Sequence, residues 1–181
     1  MVEDVDADLV RRCRNGDRRA FEVLLRRYER PVYNAALRML RNPEDAKDVS
    51  QTVFLKAYEH LAEYDPKYRF YSWIYRIAVN ESLNGLNRRH RLEPVDEETT
   101  DERPGPDQVF GDDQRSRCVQ SALMCIKPEY RAVIVLKHFL GCSYHDMSEI
   151  LQLPEKTVKS RLFTARQLLK EALLDKGMTS S

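Results

Sequence analysis

Apolar residues recur three and four positions apart along most of the chain of 181 residues. This spacing places them on one face of an α-helix, and the alternation that strands require is nearly absent. The pattern therefore predicts an all-α protein. It divides into a helical segment at 1–92, a stretch without helical period at 93–116, a second helical segment at 117–176 and a short tail at 177–181. We expect two small helical domains joined by a linker.

Helix boundaries near the start of the chain are marked by turn and capping residues. A first helix is predicted from about Asp8 to Arg14, where the Asn15-Gly16 pair ends it, and the next begins near Asp17. Pro31 is expected to interrupt or kink this second helix, because proline lacks an N–H and clashes with the preceding turn.

A third helix has a well-defined start. Asn42 is a good N-cap and Pro43 suits the first helical position. Asp45 stands at the capping-box position, and the helix is expected to end near Tyr64. A fourth helix is predicted to begin around Ser72.

The second segment has the pattern of a helix-turn-helix. Gly141 ends one helix, Ser143 caps the next with Asp146 three residues later, and Leu153-Pro154 forms the turn. The final helix has an apolar stripe of Val158, Leu162, Ala165 and Leu169, and a displaced stripe of Lys159, Phe163, Arg166 and Lys170. Basic side chains after a tight helical corner suit phosphates and base edges in a major groove. Phe163 would contact a thymine methyl or cover a neighbouring helix.

The formal net charge of +1 hides a strong segregation of charge. Residues 93–115 hold nine acids and two bases, residues 69–91 one acid and five arginines, and residues 155–176 three acids and six bases. Prolines and glycines accompany the acids, which indicates an extended, solvated linker. Two basic segments around an acidic linker suggest a polyanion contacted at two places, although the charged faces of helices are often simply solvated.

Aromatic and basic residues are interleaved before and within the fourth helix. They are Tyr64, Lys67, Tyr68, Arg69, Phe70, Tyr71, Trp73, Tyr75 and Arg76. Such a mixture suits single-stranded nucleic acid, since every base has a face that can stack, and Asn80 could read the edge of an extruded base. The alternative is that Trp73 and Ile77, four residues apart, belong to the core.

Other classes of protein lack support in the sequence. No glycine-rich phosphate loop, nucleophile elbow or metal-ligand set is present, so we expect neither an enzyme nor a cofactor or metal site. Cys118 and Cys125, seven residues apart, would share a packed helix face as reduced thiols. No apolar run reaches the roughly 18–20 residues of a membrane span. The acidic start is not a signal peptide, which indicates a cytoplasmic protein.

Three motifs resemble bacterial RNA polymerase sigma factors. Residues 42–58, NPEDAKDVSQTVFLKAY, are similar to the polymerase-binding helix of region two, and residues 70–80, FYSWIYRIAVN, to the segment that opens and reads promoter DNA. The segments 144–151, YHDMSEIL, and 157–166, TVKSRLFTAR, resemble the helix-turn-helix of region four. Their order and short connector resemble the extracytoplasmic-function (ECF) subfamily, which keeps only these two regions.

The resemblance implies roles for the matching positions. Those facing the β and β′ subunits of core RNA polymerase would be Asp45, Asp48, Gln51 and Phe54. Residues 64–71 would form the loop that captures a flipped base, and contacts to the −10 element would come from Tyr68, Phe70, Tyr71, Trp73, Arg76, Asn80, Arg88 and Arg89. Contacts to the −35 element would come from Lys156, Lys159, Ser160, Arg161, Phe163, Thr164 and Arg166.

The resemblance also implies partners: core polymerase, promoter DNA both double- and single-stranded, and an anti-sigma factor that could hold the protein at the inner membrane. No small-molecule substrate is implied. Ser50 and Thr52 could accept phosphate, which would add charge to the polymerase-facing helix. The 24 residues of 93–116 span at most about 80 Å when extended, whereas two turns of duplex DNA measure about 70 Å. A stand-alone helix-turn-helix regulator is the alternative, but it leaves residues 42–58 and the aromatic segment without a role.

Overall fold

The structure, a computed structural model, describes residues 6–92 and 114–175, without the side chains of 90–92. Within these ranges every regular element is helical. The N-terminal module contains α1 (Ala7–Arg14), α2 (Arg18–Leu40), α3 (Pro43–Glu59), a 3-10 turn (Leu61–Glu63) and α4 (Phe70–Leu92). The C-terminal module contains α5 (Gln114–Met124), α6 (Pro128–Ile134), a π-helical turn (Val135–Phe139), α7 (Tyr144–Leu151) and α8 (Glu155–Asp175). The all-α prediction is confirmed.

The second helix is continuous through Pro31, so of the two expectations for this residue, an interruption or a kink, the interruption was wrong. Asp17 caps α2 by accepting hydrogen bonds from the amides of Arg19 and Ala20, and the helix then continues past Pro31 to Leu40. Val32, the residue after the proline, is completely buried. Burial of the apolar face on both sides of Pro31 offsets the roughly 3 kcal/mol that a proline costs inside a helix.

Capping residues determine the start of α3, whereas the end of α3 and the start of α4 differ from the prediction. The Asn42 side chain accepts hydrogen bonds from the amides of Glu44 and Asp45, as predicted. The helix ends at Glu59, earlier than expected, and α4 begins at Phe70, two residues before the predicted Ser72. Phe70 is completely buried, so packing anchors the first turn of α4.

The predicted helix-turn-helix is present in the C-terminal module. Gly141 adopts a positive φ of +69°, which ends the preceding turn. Ser143 and Asp146 form a reciprocal capping box at the start of α7. A left-handed Gln152 ends α7, and α8 follows directly after Pro154. The helix α5 begins at Gln114, so residues 114–116 are helical, whereas 93–113 of the expected linker lie outside the described residues, as does the 177–181 tail.

The two modules pack against each other through one continuous hydrophobic core. Helix α4 contacts α7, and α2 contacts α5, α6 and the π-helical turn. Arg131 of α6 is 5% exposed and donates hydrogen bonds to four carbonyl oxygens, one on Met39 of α2 and three within its own module. Gln120 of α5 donates to the carbonyl oxygen of Arg38 at 3.2 Å. The C-terminal module therefore satisfies carbonyl groups at the end of α2.

The cysteine prediction was wrong in one respect. Cys125 lies just beyond the end of α5 and is exposed, whereas Cys118 within the helix is partly buried. The two thiols therefore do not share a packed helix face, because α5 ends at Met124, one residue before Cys125. Within the described ranges, no helix combines the length and apolar character needed to cross a bilayer.

Candidate polymerase and nucleic-acid interfaces

The segment 64–71 divides into a buried support and an exposed part. Tyr64 and Phe70 are almost fully buried, and their rings pack against each other and against Trp73. Tyr68, which lies between them, is 42% exposed, and Arg69 is exposed. The Tyr64 hydroxyl donates to the carbonyl oxygen of Tyr68 at 2.5 Å. Aromatic packing thus fixes the ends of the segment while Tyr68 and Arg69 face solvent.

Arg14 of α1 holds the approach to this segment, a role that the sequence did not reveal. Its guanidinium donates to the carbonyl oxygens of Leu61 and Ala62, at 3.1 Å each, and to that of Tyr64. It also lies 5.7 Å from the centroid of the Tyr64 ring. No local sequence pattern indicates this contact, because 47 to 50 positions separate Arg14 from its partners.

The side chains predicted to contact the −10 element differ in their exposure on α4. Asn80 and Arg88 are exposed, whereas Trp73, Arg76 and Arg89 are partly buried. Phe70 is completely buried and offers no surface to a base in this arrangement. Arg89 pairs with Asp45 of α3 at 2.7 Å.

Tyr71 contacts the other module. Its hydroxyl donates a hydrogen bond of 2.5 Å to Oδ1 of Asp146 in α7. Burial and this hydrogen bond raise the pKa of Tyr71 to about 12. Burial opposes ionisation of Asp146, yet hydrogen bonds from Ser143 and Tyr71 keep its pKa below the usual value. The pair therefore consists of a neutral phenol and a carboxylate at neutral pH.

The outer face of α3 combines acidic, polar and apolar side chains. Asp48 and Gln51 are exposed, Asp45 is partly buried, and Phe54 is buried at 8% exposure. The sequence did not single out Leu55 and Tyr58, which are 59% and 51% exposed. Ser50 is buried, and the Thr52 hydroxyl donates to the carbonyl oxygen of Asp48 at 2.9 Å. Large apolar side chains exposed side by side are typical of a protein-binding surface.

The final helix presents the predicted stripe to solvent. Val158, Leu162 and Ala165 are buried, and Leu169 is partly buried. On the opposite side, the exposed residues of the expected −35 set are Lys156, Lys159, Ser160, Phe163 and Arg166, while Arg161 and Thr164 are partly exposed. Phe163 is 67% exposed, so it does not cover a neighbouring helix.

Two contacts position cations on this helix. The Lys159 ammonium lies 3.4 Å from Glu155 and 5.2 Å from the centroid of the Tyr144 ring. Arg166 donates to His138 at 3.3 Å. Burial lowers the pKa of His138, and Arg166 and Lys137 lower it further, so this imidazole is neutral at neutral pH. The recognition face is therefore cationic, with the Glu155 carboxylate beside Lys159 and a neutral imidazole beside Arg166.

Comparison with known families assigns both modules. The sigma-70 region 2 family matches residues 24–92, and the sigma-70 region 4 family matches residues 116–169. Together the two matches cover more than half of the chain.

Curated relatives match along nearly the full length. The chain is 30% identical to the RNA polymerase sigma-H factor of Pseudomonas aeruginosa, with 96% of each chain covered. It is 31% identical to the ECF RNA polymerase sigma-E factor of Escherichia coli K12, covering 91% of this chain and 92% of the relative. It is 29% identical to the ECF RNA polymerase sigma factor SigW of Bacillus subtilis, covering 92% and 95%.

Solved structures share the fold. The structure of CnrH in complex with the cytosolic domain of CnrY aligns with a TM-score of 0.74 and 28% identity, covering 97% of this chain and all of that one. The sigma factor RpoE bound to the anti-sigma factor NepR, from Bartonella quintana, aligns with a TM-score of 0.65 and 21% identity, covering 84% and 96%. The chain therefore belongs to the ECF sigma factors, which bind core RNA polymerase and direct transcription initiation at specific promoters.

Proposed function

We propose that this sigma factor binds core polymerase through the outer face of α3. Asp48 and Gln51 supply polar contacts there, and Leu55 and Tyr58 supply apolar area. Phe54 supports this face from within the core. The proposal is supported by the side-by-side exposure of carboxylates and large apolar side chains on one helix, a combination that a surface in contact with water alone does not need.

The aromatic segment and α4 are proposed to read and open the −10 element. The segment 64–71, with exposed Tyr68 and with Tyr71, would capture the flipped base, while Trp73, Arg76 and exposed Asn80 would lie behind it. Arg88 would meet phosphates together with Arg89. Extrusion costs a few kcal/mol, which stacking at about 1–3 kcal/mol per base and hydrogen bonds to Asn80 would offset. Phe70 keeps the segment in place from the core.

The recognition helix α8 is proposed to enter the major groove at the −35 element. The observation that carries this role is the exposure of Lys159, Phe163 and Arg166 on one side of a helix whose other side is buried. Its remaining proposed contacts come from Lys156, Ser160, Arg161 and Thr164. The helix α7 precedes it in the geometry of a helix-turn-helix, in which the second helix reads base edges.

Linkage of the two modules gives specificity by multivalency. Each module alone is expected to bind DNA weakly, and attachment of both to core polymerase makes the second contact effectively intramolecular. The isolated protein should therefore bind promoter duplex poorly, whereas the holoenzyme binds it specifically. A stand-alone operator-binding regulator would show the reverse. Run-off transcription with core enzyme and a genomic template pool separates these functions, since a regulator alone does not confer initiation on core enzyme.

Charge reversal tests the polymerase-binding face. Asp48→Arg should prevent assembly with core polymerase without unfolding the chain, because Asp48 is exposed. Glu22→Arg, at an exposed acid of α2, is the matched control and should assemble normally. Co-elution with core enzyme on a sizing column measures both variants. Normal assembly of Asp48→Arg would remove that residue from the interface.

Regulation is proposed to involve an anti-sigma factor. CnrH was solved with the cytosolic domain of CnrY, and RpoE with the anti-sigma factor NepR. By likeness to CnrH we propose that this chain acts in the cytoplasm, has no catalytic activity of its own and is held inactive by a partner protein. Co-purification from cells under non-inducing conditions, followed by mass spectrometry, would identify that partner.

A further inference from the structure

The helix-turn-helix module forms a hydrogen bond with Tyr71, a side chain that is proposed to contact promoter DNA. Tyr71 is the last residue of the base-capture segment 64–71 and lies in the first turn of α4, and its hydroxyl donates a hydrogen bond to Asp146 at the start of α7. Helices α4 and α7 pack against each other, and Tyr75, one turn beyond Tyr71, is buried. A tyrosine in this arrangement cannot offer its hydroxyl to DNA until α7 moves away.

The same contact conflicts with the spacing of promoter elements. Helix α7 is about 12 Å long, and the part of α8 that carries the proposed −35 contacts is about 18 Å long. Tyr71 therefore lies within roughly 40 Å of every proposed −35 residue. Two turns of duplex DNA measure about 70 Å. The docked arrangement is too short for both modules to engage elements that far apart.

From these contacts we infer that the N-terminal end of α7 is a docking surface for the face of α4 that carries Tyr71 and Tyr75 in the same chain, and that the Tyr71–Asp146 hydrogen bond latches the protein in a closed, promoter-incompetent form. Region 4 and the −10 DNA then compete for Tyr71 of region 2. The inference rests on the proposed function for its consequence at the promoter, whereas the docking itself involves neither DNA nor polymerase.

Further contacts stabilise the closed form. Arg131 donates to the carbonyl oxygen of Met39, and Arg38 donates to Oε1 of Gln120 at 3.2 Å. The Arg38 guanidinium also lies 4.6 Å from the centroid of the Phe139 ring. None of these residues is among the proposed DNA contacts. The Tyr71–Asp146 hydrogen bond joins a proposed DNA-contacting residue to the helix-turn-helix, and Arg69 of the same segment donates to the Tyr71 hydroxyl at 3.3 Å.

Cys142 provides a built-in probe of opening. It is 3% exposed, it lies just before Ser143, the N-cap of α7, and it is close enough to Tyr75 across the interface to contribute to the raised pKa of that phenol. Burial raises the pKa of its thiol to about 12, so a maleimide should react with it only when the interface opens. The rate of modification then follows the opening equilibrium, even when the open form is rare.

The experiment measures this rate in the full chain without DNA or polymerase. Cys13, Cys118 and Cys125 are first replaced by Ser. Tyr71→Phe removes the hydroxyl and keeps the ring, and it should increase the rate about tenfold, since a partly buried hydrogen bond to a carboxylate is lost. Tyr33→Phe, at another partly buried tyrosine, should leave the rate unchanged. Unfolding in urea shows whether global stability changes.

A double-mutant cycle separates the latch from the cap of α7. Asp146→Ala removes both the Tyr71 contact and the capping box, so it should increase the rate more than Tyr71→Phe does. In the Tyr71→Phe background, Asp146→Ala should cost only the cap. Purely additive effects, an unchanged rate for Tyr71→Phe, or rapid modification of Cys142 in the unaltered interface would each overturn the latch.

The promoter consequence has a separate readout. At limiting sigma factor, Asp146→Ala should increase open-complex formation by core enzyme, whereas Glu149→Ala, which removes a charge of α7 that is paired with His145, should not. If Tyr71→Phe opens the interface but Tyr71→Ala leaves −10 binding unchanged, the latch stands and the proposed role of Tyr71 at DNA fails. If the proposed −10 and −35 contacts are confirmed but Cys142 remains protected in Tyr71→Phe, only the latch fails.

Discussion

Nη2 of Arg89 lies 2.7 Å from Oδ2 of Asp45, so the basic end of α4 is tied to the acidic start of α3. Both side chains are partly exposed, at 40% and 37%, and the pair is therefore expected to contribute at most about 1 kcal/mol to folding. Its significance is positional, because it joins a residue proposed to face polymerase with one proposed to face DNA.

This pair predicts how Arg89 and Arg88 differ. Arg89→Ala should weaken promoter binding by the holoenzyme and reduce the salt slope by about one, as expected for one phosphate contact. Arg88→Ala should give the same slope change. Unlike Arg89, Arg88 is exposed and pairs with no acid within the described residues. Only Arg89→Ala should also free Asp45 and alter core binding. Equal core affinity for the two variants would argue against coupling through the pair.

Asn80 is predicted to act after polymerase has bound. Asn80→Ala should weaken open-complex formation at matched promoters while core binding stays intact, because the side chain is exposed on α4 and not on α3. Permanganate reactivity of the opened strands measures melting, and co-elution measures assembly. Asn84→Ala, also exposed and one turn further along, serves as the control. Loss of core binding by Asn80→Ala would show that this helix has been assigned wrongly.

Phe163 is predicted to contribute to DNA binding and not to folding. It is 67% exposed, so Phe163→Ala should change the free energy of unfolding by less than about 0.5 kcal/mol. Binding to a −35 duplex by the holoenzyme should weaken about fivefold through loss of apolar contact with a base. Leu174→Ala, at the far end of α8, should change neither quantity. An unchanged −35 affinity for Phe163→Ala would leave the exposed ring without a DNA role.

Lys159 should contribute through charge. Lys159→Ala should weaken −35 binding, and the salt slope should fall by about one if the contact is to phosphate. Removal of its partner by Glu155→Ala should increase affinity slightly, because the ammonium then loses a competing carboxylate 3.4 Å away. Fluorescence anisotropy over a range of salt concentrations gives both quantities. A smaller affinity with an unchanged slope would indicate a base contact.

The buried Arg131 side chain is predicted to stabilise the interface between the modules. Arg131→Met should destabilise the chain by about 3 kcal/mol or more, because four carbonyl groups lose their donor. Burial lowers the pKa of Arg131 to about 10, so the guanidinium remains charged at neutral pH. Lys127→Met, at an exposed site, should have little effect in the same urea titration. Similar midpoints for both variants would show that the carbonyl contacts add nothing.

The chain is also expected to lose stability in alkali. Burial raises the pKa of Tyr28, Tyr71 and Tyr75, with Tyr71 at about 12. Because unfolded tyrosines ionise near pH 10, at about their reference pKa, this contribution is complete below that pH and is lost as the pH rises through the folded values. Urea unfolding at several alkaline pH values measures the loss, and Tyr28→Phe should reduce its steepness. A stability independent of pH in that range would contradict the buried, neutral state of these phenols.

The sequence by itself determined the class of fold, the order of the helices and the solvent-facing stripe of α8. These follow from local periodicity and from caps such as Asn42 and Ser143, whose partners lie within a few residues. Only the tertiary structure decided that α2 continues through Pro31, that Phe70 is buried and that α7 lies on α4. Periodicity shows which face of a helix is apolar but not which surface covers it. The Tyr71–Asp146 bond, between residues 75 positions apart, arises only from the docking of one module on the other.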